Sequence, residues 1–379
     1  MKKVAIIGAG PAGLYASILL KRLRPDLEVS LFEQNKANAT FGFGVVFSDQ
    51  ALAFLREDDP ETADLIEPAM LRWSNIEVAH KGQSIAIDGI GFAAIERLKL
   101  LQLLQQRASE LGIKPSYQTT IRTLEDLGDA DLIIGADGLN SMVRKSDSKA
   151  FGERVSELDN VFIWFGAERE FNALTQTFVE TPIGKMNAHH YPYKSGRSTF
   201  IIEMAAQTFE RSGLAYRTED ESKSECESYF KDALNGARLV ANNSTWRQFP
   251  KLSCEHFFNG NQVLVGDALH TAHFSIGSGT RLALEDVVAL MKALRDADWQ
   301  IGEALPAYQQ TRKPILDKIT NAANASAAWY ESYESHMELQ PWEFALSYIR
   351  RAGRIKSDRL RTMAPEFTTA LEQQGIDLE

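Results

Sequence analysis

Cysteine is scarce in this chain of 379 residues, and the two cysteines that occur, Cys226 and Cys254, lie far apart. Neither belongs to a CxxC pair or to a cluster with metal-ligand spacing, which argues against a disulfide framework or a zinc site. Long apolar runs are also lacking. No stretch approaches the roughly 20 residues of a membrane span, and the first apolar run, Val4 to Ile7, is too short for a signal-peptide core. We therefore expect a cytoplasmic protein.

Positive charge is in deficit as well: 41 Lys and Arg residues against 51 Asp and Glu residues give a net charge of −10. Proteins that bind nucleic acid present a basic face, so this balance argues against a nucleic-acid partner. Internal repeats and low-complexity linkers are absent from the sequence. What remains is the composition of a globular protein, long enough for one large domain or two fused ones.

The N-terminal segment has the pattern strand, glycine-rich turn and helix. The β-branched run Val4–Ile7 leads into a GxGxxG motif, after which apolar residues recur at helical spacing. A second strand over residues 27–32 completes a βαβ unit and ends at Glu33. In such a unit the helix N-terminus binds a pyrophosphate and the acidic residue binds a ribose. The sequence therefore predicts an adenine dinucleotide site formed by Gly8, Gly10, Ala12, Gly13 and Glu33.

The rest of the chain predicts an α/β protein whose dinucleotide half is interrupted and then resumed. Residues 42–95 indicate an irregular region with small strands, and an amphipathic helix follows over 95–108. Aromatic and β-branched runs between 154 and 204 predict an antiparallel sheet. A second strand, glycine-rich turn and helix follow over 261–294. From Gly302 on, the pattern is helical, with Pro314 expected to kink or break a helix.

The glycine motif serves NAD and FAD alike, and two later segments distinguish them. Residues 132–144, LIIGADGLNSMVR, and residues 263–279, with Gly266-Asp267 after a buried strand, resemble the second and third fingerprints of flavoprotein hydroxylases. The segments GFGVVFSD at 42–49, AHHYPY at 188–193 and STFIIE at 198–203 extend this likeness over nearly the whole chain. The chain thus resembles the single-component FAD-dependent aromatic hydroxylases. Within them it resembles the enzymes of aromatic CoA thioesters, and more distantly a hydroxylase of an indolic pigment pathway.

This resemblance implies a fold and a cofactor site. The fold would be a Rossmann-like FAD-binding domain of residues 1–153 and 250–300, an antiparallel-sheet substrate domain of 154–249, and a helical C-terminal region of 301–379. Asp137, Asp267 and Arg97 would contact FAD. The helix that starts with Gly277, Gly279 and Thr280 would point its N-terminus at the flavin edge that becomes anionic on reduction, which the helix dipole favours. NAD(P)H would be a transient co-substrate, since no second GxGxxG is present.

The resemblance also implies a reaction. NAD(P)H would reduce FAD, and O2 would form a flavin C4a-hydroperoxide that hydroxylates an aromatic ring bearing an amino or hydroxyl group, as in salicylyl-CoA or 2-aminobenzoyl-CoA. A base that accepts the proton of that group would strengthen the attack. The candidates for this catalytic role are His273, His189 and Tyr191, with His190 beside them. Expected substrate contacts are Trp164, Phe165, His190, Tyr193, Phe274 and Ser275.

Several alternatives stay open at this point. The substrate could be a free aromatic or indolic metabolite, or the protein could be an FAD reductase that does not activate oxygen. His270, His273 and Asp267 have metal-like spacing, but we expect no metal because Asp267 has a flavin role. Six basic residues could bind the phosphates of CoA or form a solvated face: Arg350, Arg351, Arg354, Lys356, Arg359 and Arg361. No oligomeric state is predicted.

Overall fold

The computed structural model describes residues 1–353 and 355–378, except for the side chains of residues 49–51. The strands of this part are β1 (Lys3–Ile7), β2 (Glu28–Phe32), β3 (Gly44–Ser48), β4 (Leu71–Trp73), β5 (Ile76–His80), β6 (Gln83–Ile87), β7 (Phe92–Glu96), β8 (Leu132–Gly135), β9 (Glu153–Ala167), β10 (Leu174–Thr181), β11 (Gly184–Lys194), β12 (Arg197–Met204), β13 (Leu239–Val240), β14 (Arg247–Cys254), β15 (Phe258–Asn259) and β16 (Gln262–Leu264). The helices are α1 (Pro11–Leu23), α2 (Asp49–Asp58), α3 (Pro60–Ile66), α4 (Arg97–Glu110), α5 (Met142–Ser146), α6 (Ala206–Ser212), α7 (Glu219–Tyr229), α8 (Lys231–Leu234), α9 (Gly279–Asp296), α10 (Ile301–Glu331), α11 (Tyr333–His336), α12 (Pro341–Arg350), α13 (Ser357–Met363) and α14 (Pro365–Gln373).

A five-stranded sheet with the order β15-β16-β8-β1-β2 carries the predicted dinucleotide site. Its strands β16, β8, β1 and β2 run parallel. The apolar runs of β1 and β8 are buried, as expected for parallel strands covered on both faces. Because parallel strands end at the same sheet edge, the turns after β1, β8 and β16 meet there. The predicted Rossmann-like half, interrupted and resumed, is thereby confirmed.

A larger sheet has the order β13-β9-β12-β11-β10-β5-β6, and β14 pairs with β9. Apart from the parallel pair of β5 and β10, its strands are antiparallel. This sheet takes β5 and β6 from the region predicted to be irregular, and β14 crosses the predicted boundary at residue 250. The large sheet therefore does not coincide with residues 154–249. We propose that the chain is divided into a part around the five-stranded sheet and a part around the large sheet, and not at these residue boundaries.

A small sheet, β3-β7-β4, and the long helix α10 complete the frame of the site. The helix is continuous through both Pro306 and Pro314. Of the predicted kink or break at Pro314, the break is therefore wrong and the kink stays a prediction. Proline has no N–H, so the carbonyl of Gln310, four residues before Pro314, lacks its helical donor. Within the described residues, each helix is too short or too polar to cross a membrane.

Candidate active site

The glycine-rich turn after β1 leaves room at one of its three glycines. Gly8 has φ +96°, and a Cβ there would lie 2.3 Å from the carbonyl oxygen of Ala136. A Cβ at Gly13 would lie 1.8 Å from the carbonyl oxygen of Gly8. At Gly10 a Cβ would meet no atom within 4 Å, and no side chain caps the N-terminus of α1. The turn thus packs tightly against β8 and stays open at Gly10, where a pyrophosphate can approach the free N–H groups.

Two further predicted residues lie around this turn. Ala12 is buried in the first turn of α1 and faces Gly266, at which a Cβ would lie 3.5 Å from the Cβ of Ala12. Glu33 follows β2, and its Oε2 accepts a hydrogen bond from the N–H of Ala9 at 2.9 Å. Its Oε1 accepts two bonds of 2.8 Å from the backbone and side chain of Asn35. Glu33 thus lies at the glycine turn, while its contact with a ribose stays a prediction.

Asp137, Asp267 and Arg97 supply polar groups without partners at the same edge. Asp137 accepts from the N–H of Met142 at 2.6 Å, but its Oδ1 is buried without a partner, and burial raises the pKa of this carboxyl. Surrounding protein raises the pKa of Asp267 although its side chain keeps accessible surface, which is typical of a group that lines a cleft. The Nε of Arg97 is also buried without a partner. These donors and acceptors fit a polar ligand such as FAD.

The N-terminus of α9 opens toward the same region. Gly277 has φ +60°, and a Cβ there would lie 2.8 Å from Cγ1 of Val46. Ser278, at the N-cap, makes no side-chain cap, and a Cβ at Gly279 would meet nothing within 4 Å. Thr280 lies half-buried in the first turn. An uncapped N-terminus on an 18-residue helix stabilises nearby negative charge, which suits a flavin edge that becomes anionic.

A buried ion network that sequence reasoning missed fixes the loop of Asp267. Asp286 accepts from the N–H of Gly266 at 3.0 Å, from Nε2 of His270 at 2.7 Å and from Nε of Arg312 at 2.7 Å. Burial acts to raise the pKa of Asp286, but His270 and Arg312 hold it below its ordinary value. The Nη1 of Arg312 also donates to Glu285 at 2.9 Å. His270 therefore anchors the loop, and the described residues contain no cluster of three or more metal-binding groups.

Strand alternation divides the predicted substrate residues between two faces of the large sheet. On one face, the ring of Phe274 lies 4.9 Å from that of Phe162, 6.3 Å from Trp164 and 5.1 Å from His189. Ser275 lies beside Phe274, with its Oγ 2.8 Å from Oγ of Ser326. The Nε1 of Trp164 is buried without a partner. This face presents an aromatic lining to the N-terminus of α9.

Phe165 and His190 point to the opposite face, away from Phe274. Phe165 is fully buried in a cluster with Phe200 and Phe230. His190 lies between Phe171 and Phe200, at 3.9 and 5.0 Å, and its Nε2 is 2.8 Å from Oγ1 of Thr177. Neighbouring residues of a strand cannot both face one pocket, which removes these two from the substrate-facing set.

Trp164 and Phe165 offer a test of this division. Trp164→Phe should raise the KM of the aromatic substrate about five- to tenfold, the value of one aromatic contact. Phe165→Leu should leave KM within about twofold and lower the free energy of unfolding by about 1 kcal/mol. Steady-state kinetics and urea unfolding of both variants check the pair, and equal effects on KM would contradict it.

Tyr191 and Tyr193 pack between the large sheet and the small one. The hydroxyl of Tyr191 donates to the carbonyl of Gly44 at 3.0 Å, and burial raises the pKa of each tyrosine to about 12. Both belong to an apolar cluster with Val46 and Trp73. These contacts indicate that the two tyrosines hold β3 against the large sheet. The hydroxyl of Tyr191 is engaged by Gly44, and its catalytic role stays a prediction.

Removing the two hydroxyl groups separates packing from catalysis. Tyr191→Phe leaves the buried carbonyl of Gly44 without its donor and should lower the free energy of unfolding by about 1 kcal/mol, with kcat within about twofold. Tyr193→Phe is the matched control, because the Tyr193 hydroxyl makes no hydrogen bond among the described residues. A large fall in kcat for Tyr191→Phe alone would restore its catalytic role.

A buried acid–base cluster occupies the substrate-facing side. Nε2 of His189 lies 3.3 Å from Oε2 of Glu203, and Asn160 donates to Oε1 of Glu203 at 2.9 Å. Burial lowers the pKa of His189 to about 3 and that of His273 to about 4, with Glu203 opposing the fall at His273. Burial raises the pKa of Glu203. Both imidazoles are therefore neutral near pH 7 and able to accept a proton.

Glu203, Asn160 and Tyr330 were not predicted as site residues. The Tyr330 ring lies 4.7 Å from His189, and its hydroxyl donates to Oε1 of Gln176 at 3.0 Å. The signal for Glu203 was present, since an acidic residue ends the apolar run STFII that forms β12. A charge in a buried strand requires a buried partner. Tyr330 lies in the helix α10, where the sequence pattern gives no indication of a site residue.

The C-terminal basic residues within the described part of the chain differ in their surroundings. Arg351 donates to the carbonyl of Ser275 at 2.9 Å and stacks over Tyr348 at 3.9 Å. Arg350 donates to Oγ of Ser357 at 2.9 Å. Lys356, Arg359 and Arg361 are exposed, and Arg354 lies outside the described residues. Two of the predicted phosphate ligands are thus engaged within the protein.

Comparison with known proteins shows the family of this chain. The FAD binding domain family matches residues 103–323. The chain is 40% identical to salicyloyl-CoA 5-hydroxylase of a Streptomyces species, over 92% of the chain and 70% of that protein. It is 33% identical to 3-hydroxy-4-methyl-anthranilyl-aryl-carrier protein 5-monooxygenase of Streptosporangium sibiricum, over 98% and 100%. It is 30% identical to protodeoxyviolaceinate monooxygenase of Chromobacterium violaceum, over 92% and 94%.

Solved structures confirm the fold. The tetrameric form of 2-methyl-3-hydroxypyridine-5-carboxylic acid oxygenase superposes with a TM-score of 0.70 at 20% identity, covering 95% of this chain and 98% of the other. At that identity the likeness speaks for the fold alone. The predicted combination of a Rossmann-like half with an antiparallel sheet is therefore confirmed.

Proposed function

Because the chain belongs to the FAD-dependent aromatic hydroxylases, we propose that it hydroxylates an activated aromatic ring carried as a thioester, such as salicylyl-CoA or 2-aminobenzoyl-CoA. The observation that carries this proposal is the aromatic lining of Phe162, Trp164 and Phe274, which faces the open N-terminus of α9 and holds two neutral imidazoles. The names of two relatives, one for a CoA thioester and one for a carrier-protein substrate, support the thioester.

The residues at the sheet edge would hold FAD. The open turn at Gly10 would bind its pyrophosphate. Asp137 and Arg97 would bind polar groups along the cofactor through buried atoms that lack partners, and Asp267 through its accessible carboxylate. The first turn of α9 would face the flavin ring. Bound FAD, reduced by NAD(P)H, supplies the activation of O2. The protein supplies orientation and a dry, low-dielectric pocket.

His273 is the best-placed proton acceptor of the chain. Its Nδ1 accepts a weak bond of 3.4 Å from the N–H of Ser275, and its Nε2 makes no hydrogen bond among the described residues. A neutral imidazole whose Nδ1 accepts this bond carries its proton on Nε2. A proton taken from the ring hydroxyl or amino group therefore goes to Nδ1, in place of the weak bond from Ser275, and makes His273 an imidazolium, a form that the charge of Glu203 favours. Loss of the proton makes the ring more electron-rich, which favours attack on it.

Oxygen uptake and product analysis test this function. The FAD-loaded protein should oxidise NAD(P)H and consume O2 when salicylyl-CoA or 2-aminobenzoyl-CoA is added, and the product should gain one oxygen atom by mass. Free salicylate and 2-aminobenzoate serve as the comparison. Turnover with the free acids alone would overturn the thioester, and NAD(P)H oxidation without a hydroxylated product would indicate a reductase.

A second candidate is hydroxylation of a free aromatic or indolic metabolite. The likeness to protodeoxyviolaceinate monooxygenase favours it. A free indolic compound would need no binding site beyond the aromatic pocket. Turnover of an indole carboxylate without any thioester would select this candidate.

A further inference from the structure

A long groove along α10 is lined, apart from His270, by residues that do not belong to the active site described above. One part has a volume of about 640 Å³ and is lined by residues of β9, β14, the loop of residues 269–271, and α10. A second depression of about 530 Å³ continues it and shares Lys313 and Asp317 with it. We call both together the α10 trough. Its α10 residues run from Pro306 to Asn324, or roughly 27 Å at 1.5 Å per residue.

The trough combines an apolar floor with polar sides. Leu252, Leu269 and Leu316 lie in the first part, and Phe258 with Pro306 and Pro314 in the second. Hydroxyl and amide groups accompany them, on Ser253, Thr271, Thr320, Asn321 and Asn324. Val155, 57% exposed, adds an apolar side chain to the first part. Such a surface suits an extended ligand that alternates amide groups with apolar segments.

The trough is locally positive in an acidic protein. Its cations are Arg154, Lys251 and Lys313, against the carboxylates Glu255 and Asp317. Lys251 is half-buried and makes no ion pair among the described residues. The other pairs are weak surface pairs, 3.3 Å for Arg154 with Glu255 and 3.0 Å for Lys313 with Asp317. A cation that is partly removed from water without a counter-ion favours an anionic ligand.

Two polar groups along the trough also lack partners. His270 is 4% exposed, its Nε2 lies 2.7 Å from Oδ2 of Asp286, and its Nδ1 is buried without a partner. The carbonyl of Gln310 loses its helical donor at Pro314. Amide groups of a ligand, which both donate and accept, would satisfy such groups.

Three elements connect the trough with the aromatic pocket. The loop that lines the trough at Thr271 reaches His273 two residues later, and α10 runs from Asn324 to Ser326, which bonds to Ser275. In β14, Phe249 lies two residues before Lys251, and its ring is 4.9 Å from that of His273. The end of the trough at Thr271 and Asn324 is therefore adjacent to His273, which is proposed to accept the substrate proton.

We propose that the α10 trough binds the pantetheine arm and the nucleotide of an aromatic CoA thioester, with the phosphates at Lys251 and Lys313. This inference rests on the proposed function for the identity of the ring, which lies in the aromatic pocket. It moves the CoA site from the C-terminal basic residues to α10. The pantetheine amides meet the polar sides and the unpartnered polar groups, and the apolar depression of Phe258, Pro306 and Pro314 receives the adenine.

Titration with free coenzyme A tests the trough without any turnover. Calorimetry of the FAD-loaded protein should show binding, and the double variant Lys251→Glu, Lys313→Glu should raise Kd at least about tenfold through loss of charge-assisted bonds. Lys231→Glu, a single charge reversal at an exposed position on α8, is the control for each of the single variants Lys251→Glu and Lys313→Glu and should leave Kd within about twofold. Absence of binding to the unmodified protein, or equal losses in the control and the single variants, would overturn the trough.

Turnover separates the trough from the proposed function. The double variant should raise the KM of salicylyl-CoA about tenfold and leave the KM of the truncated thioester salicyl-N-acetylcysteamine unchanged. Equal changes for both thioesters would indicate a structural defect and overturn the inference. Lysine-dependent binding of coenzyme A without hydroxylation of either thioester would support the trough and refute the proposed reaction.

Discussion

Gly10→Val should weaken FAD binding at least about a hundredfold while the apoprotein stays folded. A Cβ at Gly10 meets no protein atom within 4 Å, and the residue has φ −72°, which valine can adopt. The cost to the apoprotein is therefore limited to poorer capping of α1, about 1 kcal/mol. In the holoprotein the side chain would occupy the approach of the pyrophosphate. Losing two charge-assisted bonds of about 1.5–3 kcal/mol each accounts for the expected loss of affinity.

Fluorescence titration of the apoprotein with FAD measures this loss, with thermal unfolding alongside. Gly302→Val is the matched control, since a Cβ at this exposed position in α10 also meets nothing within 4 Å. It should leave the FAD affinity unchanged. Wild-type affinity in Gly10→Val would show that the pyrophosphate does not approach this turn. Gly13→Ala, with a Cβ 1.8 Å from the oxygen of Gly8, should instead prevent the turn from folding.

The cofactor side of the site could be predicted because its signals are local. In the glycine turn, strand, glycines and helix follow each other within residues 3–23. Gly8 and Gly13 each have a steric reason to be there, because a Cβ at either position would clash with backbone atoms. Asp137 and Asp267 each follow a buried strand, and parallel strands bring their ends to one edge. Short-range pattern and sheet topology thus suffice to place both residues near the glycine turn.

The substrate side could be predicted only in part, because the large sheet is buried on both faces. Phe165, His189 and His190 are all buried and Trp164 is half-buried, and aromatic and histidine residues occur on both faces, so sequence alone does not tell which face carries the pocket. The alternation of side chains along a strand does predict that neighbouring residues point to opposite faces. The prediction that both Trp164 and Phe165, and both His189 and His190, face the substrate ignored this alternation.

Contacts between residues far apart in the sequence could not be predicted from local sequence patterns. The bond between Asp286 and Arg312 joins two helices, and the proximity of Glu203 to His273 joins a strand to a distant loop. Pro314 within α10 shows the same limit. The helix continues through Pro314 and packs against α9 and β9, contacts that local propensity does not contain.

His273→Ala should lower the rate of hydroxylation by about two to four orders of magnitude at pH 7, the range for loss of a general base. The wild-type rate should be flat from about pH 6 to 9, because burial lowers the pKa of His273 to about 4 and its imidazole stays neutral there. The variant must rely on ionisation of the substrate itself. Its rate should therefore rise with pH until the phenol of salicylyl-CoA ionises, and the deficit should shrink accordingly.

Glu203→Gln tests the same proton transfer by weakening His273 as a base instead of removing it. Glu203 opposes the fall in the pKa of His273, so its loss should lower that pKa further and weaken the base at every pH. The rate should fall without the pH rise expected of His273→Ala, since the imidazole is still present. His80→Gln, a buried histidine that bonds to the carbonyl of Leu339, controls for loss of a buried ring. The rate of hydroxylation of each variant is measured by product mass as a function of pH. A flat pH profile in His273→Ala would mean that another group takes the proton of the substrate.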